Sequence, residues 1–372
     1  MRFVLCVRSS IVILALLGLS AAPTVAVGQQ SGNSAASATQ AIERAQLRLS
    51  AAINAGLSQQ VRARRRRPRS GSSSNVGYVD NAIVGDMFTL RYDNARDMEI
   101  PDLVEFFYGK CGCFRPLGLD PDATGPGGVV SGGEITMDVL IETSLDFQEV
   151  VLDAEIALSD RFSVFAELPY RSVQGVAIMD GSGISDIQVG FKFALVATED
   201  RYLTFQLKGY LPTGDALEGL GTDHASIEPA ILYHEGAAER FKLEAELRLW
   251  IPTGGSSSAG TGLDTQDNYY GSVLRYGIGL GYDLTPDASV RFTPVVELVA
   301  WRILGGVGLR SADGTPSTAD PFDASGTNIA NVKVGFRFGI RESDSIFAGY
   351  GKTLTDTWWY KNIIRIEYRL VP

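Results

Sequence analysis

Between Phe241 and Pro252 the chain reads FKLEAELRLWIP. Phe241, Leu243, Ala245, Leu247, Leu249 and Ile251 are apolar, and Lys242, Glu244, Glu246 and Arg248 between them are charged. Successive side chains leave a strand on opposite faces, so this alternation marks a β-strand with one greasy and one charged side. The pattern recurs. DIQVGFKFALV sets Ile187, Val189, Phe191, Phe193 and Leu195 against Asp186, Gln188 and Lys192. NVKVGFRFGI and NIIRIEYRL alternate in the same way, as do EVVLDAEIAL, YLTFQLKGYL, LRYGIGLGYDL and VRFTPVVELVA. Each segment is about ten residues or longer, beyond the usual soluble strand of about five or six and suited to a tilted membrane strand.

The connections narrow the topology. Links at Ser159-Asp160, Ala197–Asp200, Glu235–Glu239, Thr285–Ala288 and Glu342–Asp344 are tight. Those at Val173–Ser182, Pro212–Ala225, Pro252–Asn268 and Gly305–Gly326 are long and rich in Gly, Ser, Asp and Pro. Outer-membrane barrels have this rhythm of short periplasmic turns and long external loops. A soluble β-sandwich explains the alternation but neither the rhythm nor the strand length. Counting from a first strand near Ala82–Tyr92 predicts an all-β fold, a transmembrane antiparallel β-barrel of about twelve strands in the cell outer membrane. ELPYR, YLPTGD and LWIPTGG each close an upward strand, where proline is tolerated because the chain is leaving the ladder.

Residues 1–28 have another character. Arg2 and Arg8 precede the apolar run SIVILALLGLSAA, with small residues around VAVGQ. That predicts a secretory signal peptide cleaved near Gly28–Gln29. Cys6 lies before the apolar run and so is badly placed for a lipoprotein cysteine. No later run approaches the roughly 20 apolar residues of a membrane helix. Residues 29–77 read as a periplasmic extension and residues 78–372 as the barrel. Within the extension, Ala38–Leu57 predicts an amphipathic helix with Ile42, Leu49, Ile53 and Leu57 on one face. VRARRRRPRS and a Gly/Ser linker follow. The arginines from Arg62 to Arg69 suit either an anionic envelope polymer or a solvated run. The helix has two further outlets: association with copies of itself, or entry into the lumen.

The charged phase of the strands would line the inside. This predicts lumen-facing Lys242, Glu244, Glu246, Arg248, Arg275, Arg291, Glu297, Lys333, Arg337, Arg365, Glu367 and Arg369, a dense, mixed-sign lining for a narrow lumen. Phe162, Tyr170, Tyr233, Tyr282 and Tyr368 lie on the apolar phase near strand ends and read as interfacial girdle residues. Tyr210, Trp250 and Trp301 lie on the polar phase beside long external loops. They either cap the lumen by packing on loop residues or form an aromatic vestibule for flat apolar solutes.

Catalytic chemistry is sparse. His224 and His234 would sit at opposite ends of one strand, about 30 Å apart. No Gly-x-Ser-x-Gly elbow is present. GIGLG at Gly277–Gly281 lacks dinucleotide-binding spacing, and its glycines fall on the polar face, where they would relieve crowding. Glu244 and Glu246 share a face with Lys242 and Arg248, which favours ion pairing over acid–base work. No enzyme activity, metal or cofactor is therefore expected. The net charge of −10 includes the basic run, so the remainder is more acidic still and nucleic acid is not an expected partner. Cys111 and Cys113, in YGKCGCFRP, would lie in the first long loop. In an oxidising compartment a tight local disulfide is the default reading, with free thiols or a soft-metal site as the alternatives because one intervening residue makes that ring strained. The acidic loops Asp264–Asp267 and Asp313–Asp323 lack the spacing of a calcium loop.

EFFYGKCGCFR, SVFAELPYR, SDIQVGFKFAL, YLPTGD, EPAILYHEG, EAELRLWIPTGG and YGIGLGYDL together resemble the outer-membrane barrels grouped as the MetA-pathway phenol-degradation and transporter family, especially its Cys-Gly-Cys forms. The resemblance runs from about Glu105 to the C-terminus and rests on structural motifs, so no catalytic residue carries over. It implies passage of hydrophobic or aromatic compounds. The chain ends YRLVP and not in an aromatic residue, so either Tyr368 serves the assembly signal or that signal is atypical. The expected function is a passive channel or transporter for small molecules, with the lipid bilayer and small solutes as partners. The alternatives are a barrel that only tethers the envelope and, third, a lipid-modifying enzyme.

Overall fold

Each alternating segment needs a neighbour for its main-chain hydrogen bonds and a medium for its greasy side. A closed sheet meets both needs. The computed structural model describes residues 74–98, 145–175, 181–215, 220–222, 224–236, 240–253, 271–285, 290–308, 322–340 and 343–372. The chain divides into two compact units, residues 1–68 and 69–372, and every described residue belongs to the second. Cys111, Cys113 and Arg62–Arg69 lie outside the described residues.

The strands are β1 (Met87–Met98), β2 (Leu145–Ala157), β3 (Phe162–Gly175), β4 (Gly181–Ile184), β5 (Ile187–Ala197), β6 (Arg201–Leu211), β7 (Ser226–Glu235) and β8 (Phe241–Pro252). After them come β9 (Val273–Tyr282), β10 (Arg291–Ile303), β11 (Val307–Gly308), β12 (Phe322–Asp323), β13 (Asn328–Gly339), β14 (Asp344–Thr353) and β15 (Asn362–Leu370). Among the described residues β11 and β12 pair with each other and not with the main sheet, within the β10–β13 connection. The main sheet has thirteen members. β4 and β5 are two pieces of one wall strand, both paired to β3 and separated at Ser185–Asp186, so the wall counts twelve. β1 pairs with β2 on one side and with β15 on the other, Phe88 opposite Leu370, and this closes the barrel.

Facing follows the alternation. In β8, Leu247 is 51% exposed while Glu246 and Arg248 beside it are each 4% exposed. Leu152, Ile278, Val296, Val334, Ile364 and Ile366 are likewise exposed on the outside, with Tyr170 and Tyr368 among them. A closed sheet has only one inside, and water does not sustain an apolar surface that encircles the molecule. Lipid does. The protein is an integral β-barrel of an outer membrane.

Two expectations are corrected. The first wall strand begins at Met87, not near Ala82; Ala82 and Val84 are buried inside the barrel and Ile83 is half-buried. The link Val173–Ser182 is not a long loop, because β3 runs on to Gly175 and β4 restarts at Gly181, extending the hairpin. The short connection 354–361 has a definite seat. β1 shifts register between Ala95 and Met98, with Asp97 at a left-handed φ of 58°. There Trp358 Nε1 donates to the Asp97 carbonyl at 2.9 Å and Lys361 N to the Arg96 carbonyl at 3.0 Å. This anchoring drops Trp359 and Tyr360 into the barrel, fully buried.

Candidate functional site

Ahead of β1, residues 74–86 do not join the wall. Ser74 contacts Glu244 and Arg369 near the short-turn end, and Thr204 Oγ1 donates to the Ala82 carbonyl at 2.6 Å near the same end. Between those points the segment climbs to mid-barrel around Tyr78–Asp80. It therefore enters and leaves the lumen from one side and fills its inner half. No wall strand has a spare edge to offer it, so its main chain must be satisfied by side chains.

Those side chains come in two rows. Guanidinium groups take consecutive carbonyls: Arg369 Nη1 donates to Ser74 O (3.0 Å), Arg337 Nε to Asn75 O (3.0 Å) and Arg337 Nη2 to Val76 O (2.6 Å). Arg365 Nη1 then donates to Gly77 O (2.6 Å) and Arg275 Nη2 to Tyr78 O (2.7 Å). Carboxylates take the amides. Asn75 N donates to Glu244 (2.8 Å) and Asp80 N to Glu246 (2.9 Å). Gly77, Tyr78 and Val79 N all donate to Glu297, at 3.0, 2.9 and 2.7 Å. Hydrogen bonds to charged groups contribute about 1.5–3 kcal/mol each, roughly twice a neutral one.

Shape matches charge. Gly277, Gly279 and Gly281 alternate along the inner face of β9 and leave a trough for the segment. A Cβ on Gly279 would lie 2.4 Å from Val76 Cγ1, one on Gly277 3.1 Å from Val79 Cγ2, and one on Gly281 3.2 Å from Asn75 Cβ. On the segment, a Cβ on Gly77 would lie 2.1 Å from the buried Phe347 ring. The Tyr78 ring meets Phe347 edge-on and sits under two cations, Lys333 Nζ at 4.1 Å and the Arg365 guanidinium at 4.3 Å from its centroid. Asp80 pairs with Arg248 at 2.9 Å and accepts from Gln206 at 3.2 Å.

The expected lining residues fall into distinct places. Glu244, Glu246, Arg275, Glu297, Arg337, Arg365 and Arg369 touch the segment's main chain, while Arg248 and Lys333 touch its side chains. Glu367 bridges Arg337 and Arg369, each at 2.9 Å. Lys242 and Arg291 are half-buried at the short-turn ends of β8 and β10. Tyr210, Trp250 and Trp301 all belong to one apolar cluster. Trp250 packs against His224 (centroids 5.7 Å apart), Trp301 packs edge-on against Trp359 (6.2 Å), and Tyr210 is partly buried against the apolar core. Trp301 is 1% exposed and Trp250 7%. With Trp359, Tyr360, Ile303 and Ile329 they fill the outer half of the lumen with apolar groups.

Several contributors are absent from the expected set. On β1 to β7, Asp93, Glu149, Glu155, Glu167, Arg171, Lys192, Lys208 and Glu228 are buried and ion-paired. The polar phase of each strand signalled them. Tyr78 and Asp80 had no such signal, and nor did Trp359 and Tyr360, because their positions depend on irregular chain. A polar cavity of about 70 Å³ remains beside the segment, walled by Asp80, Asn81, Arg91, Asp153, Glu167 and Lys192 among others.

No protein-family model matches the chain, and no curated protein matches it in sequence. Among solved structures it is similar to an outer membrane channel from Pseudomonas putida F1, at 16% identity over 81% of this chain and 100% of that one, with a TM-score of 0.48. The translocator domain of the autotransporter NalP from Neisseria meningitidis is similar at 11% identity over 90% and 97%, with a TM-score of 0.39. A FadL homologue from Pseudomonas aeruginosa is similar at 11% identity over 77% and 90%, with a TM-score of 0.35. At such scores these likenesses carry no argument, and function must be read from the lumen itself.

Proposed function

We propose that the protein is a passive outer-membrane channel for small molecules, held shut in this conformation by its own residues 74–86 in the inner half and by the apolar packing around Trp301 and Trp359 in the outer half. One observation carries the reading. The inner lumen is filled by a re-entrant segment bound through side chains, so it can leave without breaking any wall hydrogen bond. A barrel serving only as an anchor for the arm bearing Arg62–Arg69 would have no use for a detachable filler. Single-channel recording of the full chain and of Gly77→Leu tests this. The added side chain must collide with Phe347, so frequent openings are expected in the variant and rare ones in the native protein. A variant that keeps heat-modifiable migration yet passes no current would sink the channel reading and leave the tether.

The solutes are hydrophobic or aromatic in this proposal, which includes kinship with the phenol-degradation transporter barrels. The apolar outer half supports it: Tyr210, Trp250 and Trp301 are packed there in the shut state, and their ring faces would meet flat solutes once that packing opens. Replacing Trp250 and Trp301 with alanine should slow uptake of an aromatic solute while small-ion conductance stays level or rises. Unchanged uptake with weaker heat-modifiability would make these residues packing alone.

A further inference from the structure

We infer that the inner half of the lumen is a binding site for extended peptide, occupied in cis by residues 74–80 and able to take oligopeptides of other origin. The wall reads main chain. Five successive carbonyls, from Ser74 to Tyr78, each receive a guanidinium N–H. The amides of residues 75, 77, 78, 79 and 80 each find a carboxylate. These groups are common to every peptide, so most of the recognition is indifferent to sequence.

The chemistry of the wall limits what else could fill it. Desolvating guanidinium and carboxylate groups is costly, and an apolar wall would exclude water at less expense. Such a wall is stabilised only by a ligand that brings fixed N–H and C=O groups at the spacing of an extended chain. Apolar and aromatic solutes bring neither. Side chains add a short pattern: a glycine where Phe347 leaves no room, an aromatic ring next to it under Lys333 and Arg365, and an acid two residues later against Arg248. Over Gly279 and Gly281 only modest side chains fit. The ligand class is therefore an extended oligopeptide of the form Gly-aromatic-x-acid with small residues before it. This rests on the channel reading in one respect, that the seat must empty before a second peptide can enter.

The test uses the full-length Gly77→Leu protein in detergent and a dye-labelled synthetic peptide of residues 72–82, followed by fluorescence anisotropy. Saturable binding is expected. A peptide N-methylated at positions 77, 78 and 79 loses the three donors to Glu297 and should bind roughly tenfold more weakly or worse. A peptide with Val76 and Val79 changed to alanine should bind within a few-fold of the native one. Equal binding of the N-methylated peptide overturns backbone recognition. Failure of the native peptide to bind both Gly77→Leu and the more thoroughly unseated Gly77→Leu/Asp80→Ala protein overturns the site. Peptide binding without current would defeat the channel reading alone, and current without peptide binding would defeat this inference alone.

Discussion

Glu297 holds more of the inserted segment's main chain than any other wall carboxylate. Its two oxygens accept from Gly77, Tyr78 and Val79, whereas from the segment Glu244 accepts Asn75 N and Ser74 Oγ, and Glu246 accepts one main-chain bond, from Asp80 N. Glu297→Gln keeps the shape, removes the charge and turns one acceptor into an amide donor. That NH2 would face amide N–H groups of the segment. Of the three charge-assisted bonds, one or two become neutral and the rest are lost, so at least one buried donor loses its acceptor. At about 1–3 kcal/mol for an unsatisfied buried group, and with bonds sharing one carboxylate not adding fully, the seated state should lose about 2–4 kcal/mol. At tenfold per 1.4 kcal/mol, the ratio of open to closed dwell time should rise by roughly 30- to 700-fold. Single-channel recording in planar bilayers reads that ratio directly. Heat-modifiable migration of the same preparation checks that the barrel is intact. An intact Glu297→Gln barrel with native dwell times would refute the idea that side-chain bonds to main chain keep the lumen shut.

Other substitutions probe the wall. Leu247→Arg puts a charge into lipid near mid-strand and should cost about 2–4 kcal/mol of barrel stability, read by urea titration of heat-modifiable migration. Glu246→Gln, one residue away but inward, keeps a neutral oxygen acceptor beside Arg275 Nε and Asp80 N, so it should cost less stability than Leu247→Arg while increasing openings; equal losses at the two positions would invert inside and outside. Asp93→Ala removes the partner that Arg365 grips at 2.6 and 2.7 Å across the closing seam of β1 and β15. Breaking such a buried pair costs about 3–5 kcal/mol, so this barrel should unfold at lower urea, and an unchanged midpoint would count against the seam's importance. Gly279→Leu fills the trough under Val76 from the wall side and should reproduce the frequent openings of Gly77→Leu. A silent Gly279→Leu channel would mean the segment repacks around the intrusion.

The wall was legible in the sequence because lipid outside and charge inside impose a period of two, as in Phe241–Ile251 and Val332–Ile340, and because turns and loops differ in length. The inserted segment was not, and the reason is geometric. An extended chain has a period of two whether it lies in a sheet or against side chains, so NAIVGDMFTL reads as one strand although only its part from Met87 onward pairs with neighbours. What separates the halves is which groups satisfy the main chain, and that depends on Glu297 and Arg337, more than two hundred residues away. A trace did exist. Three inward glycines in succession on β9, with Gly77 upstream, leave space that a second chain can fill. Trp359 and Tyr360 left no trace, since their loop is set by the irregular backbone at Asp97.

The arrangement of ion pairs suggests the order in which the seat would empty. Four arginines that hold the segment's carbonyls also keep carboxylates of the wall: Arg275 with Glu246 at 2.7 Å, Arg365 with Asp93 at 2.6 Å, and Arg337 and Arg369 with Glu367 at 2.9 Å. Departure of the segment therefore strands none of these cations, and the carbonyl row can let go at moderate cost. The amide row is different, because Glu297 would lose three hydrogen bonds at once and must be hydrated as they go. The cavity of about 70 Å³ borders Gly77, Val79 and Asp80 on the side of β1 to β3, where water can stand beside those residues before they move. Opening should then start at the apex, with water entering from that cavity to replace the amides at Glu297, and the carbonyls would leave the arginines afterwards.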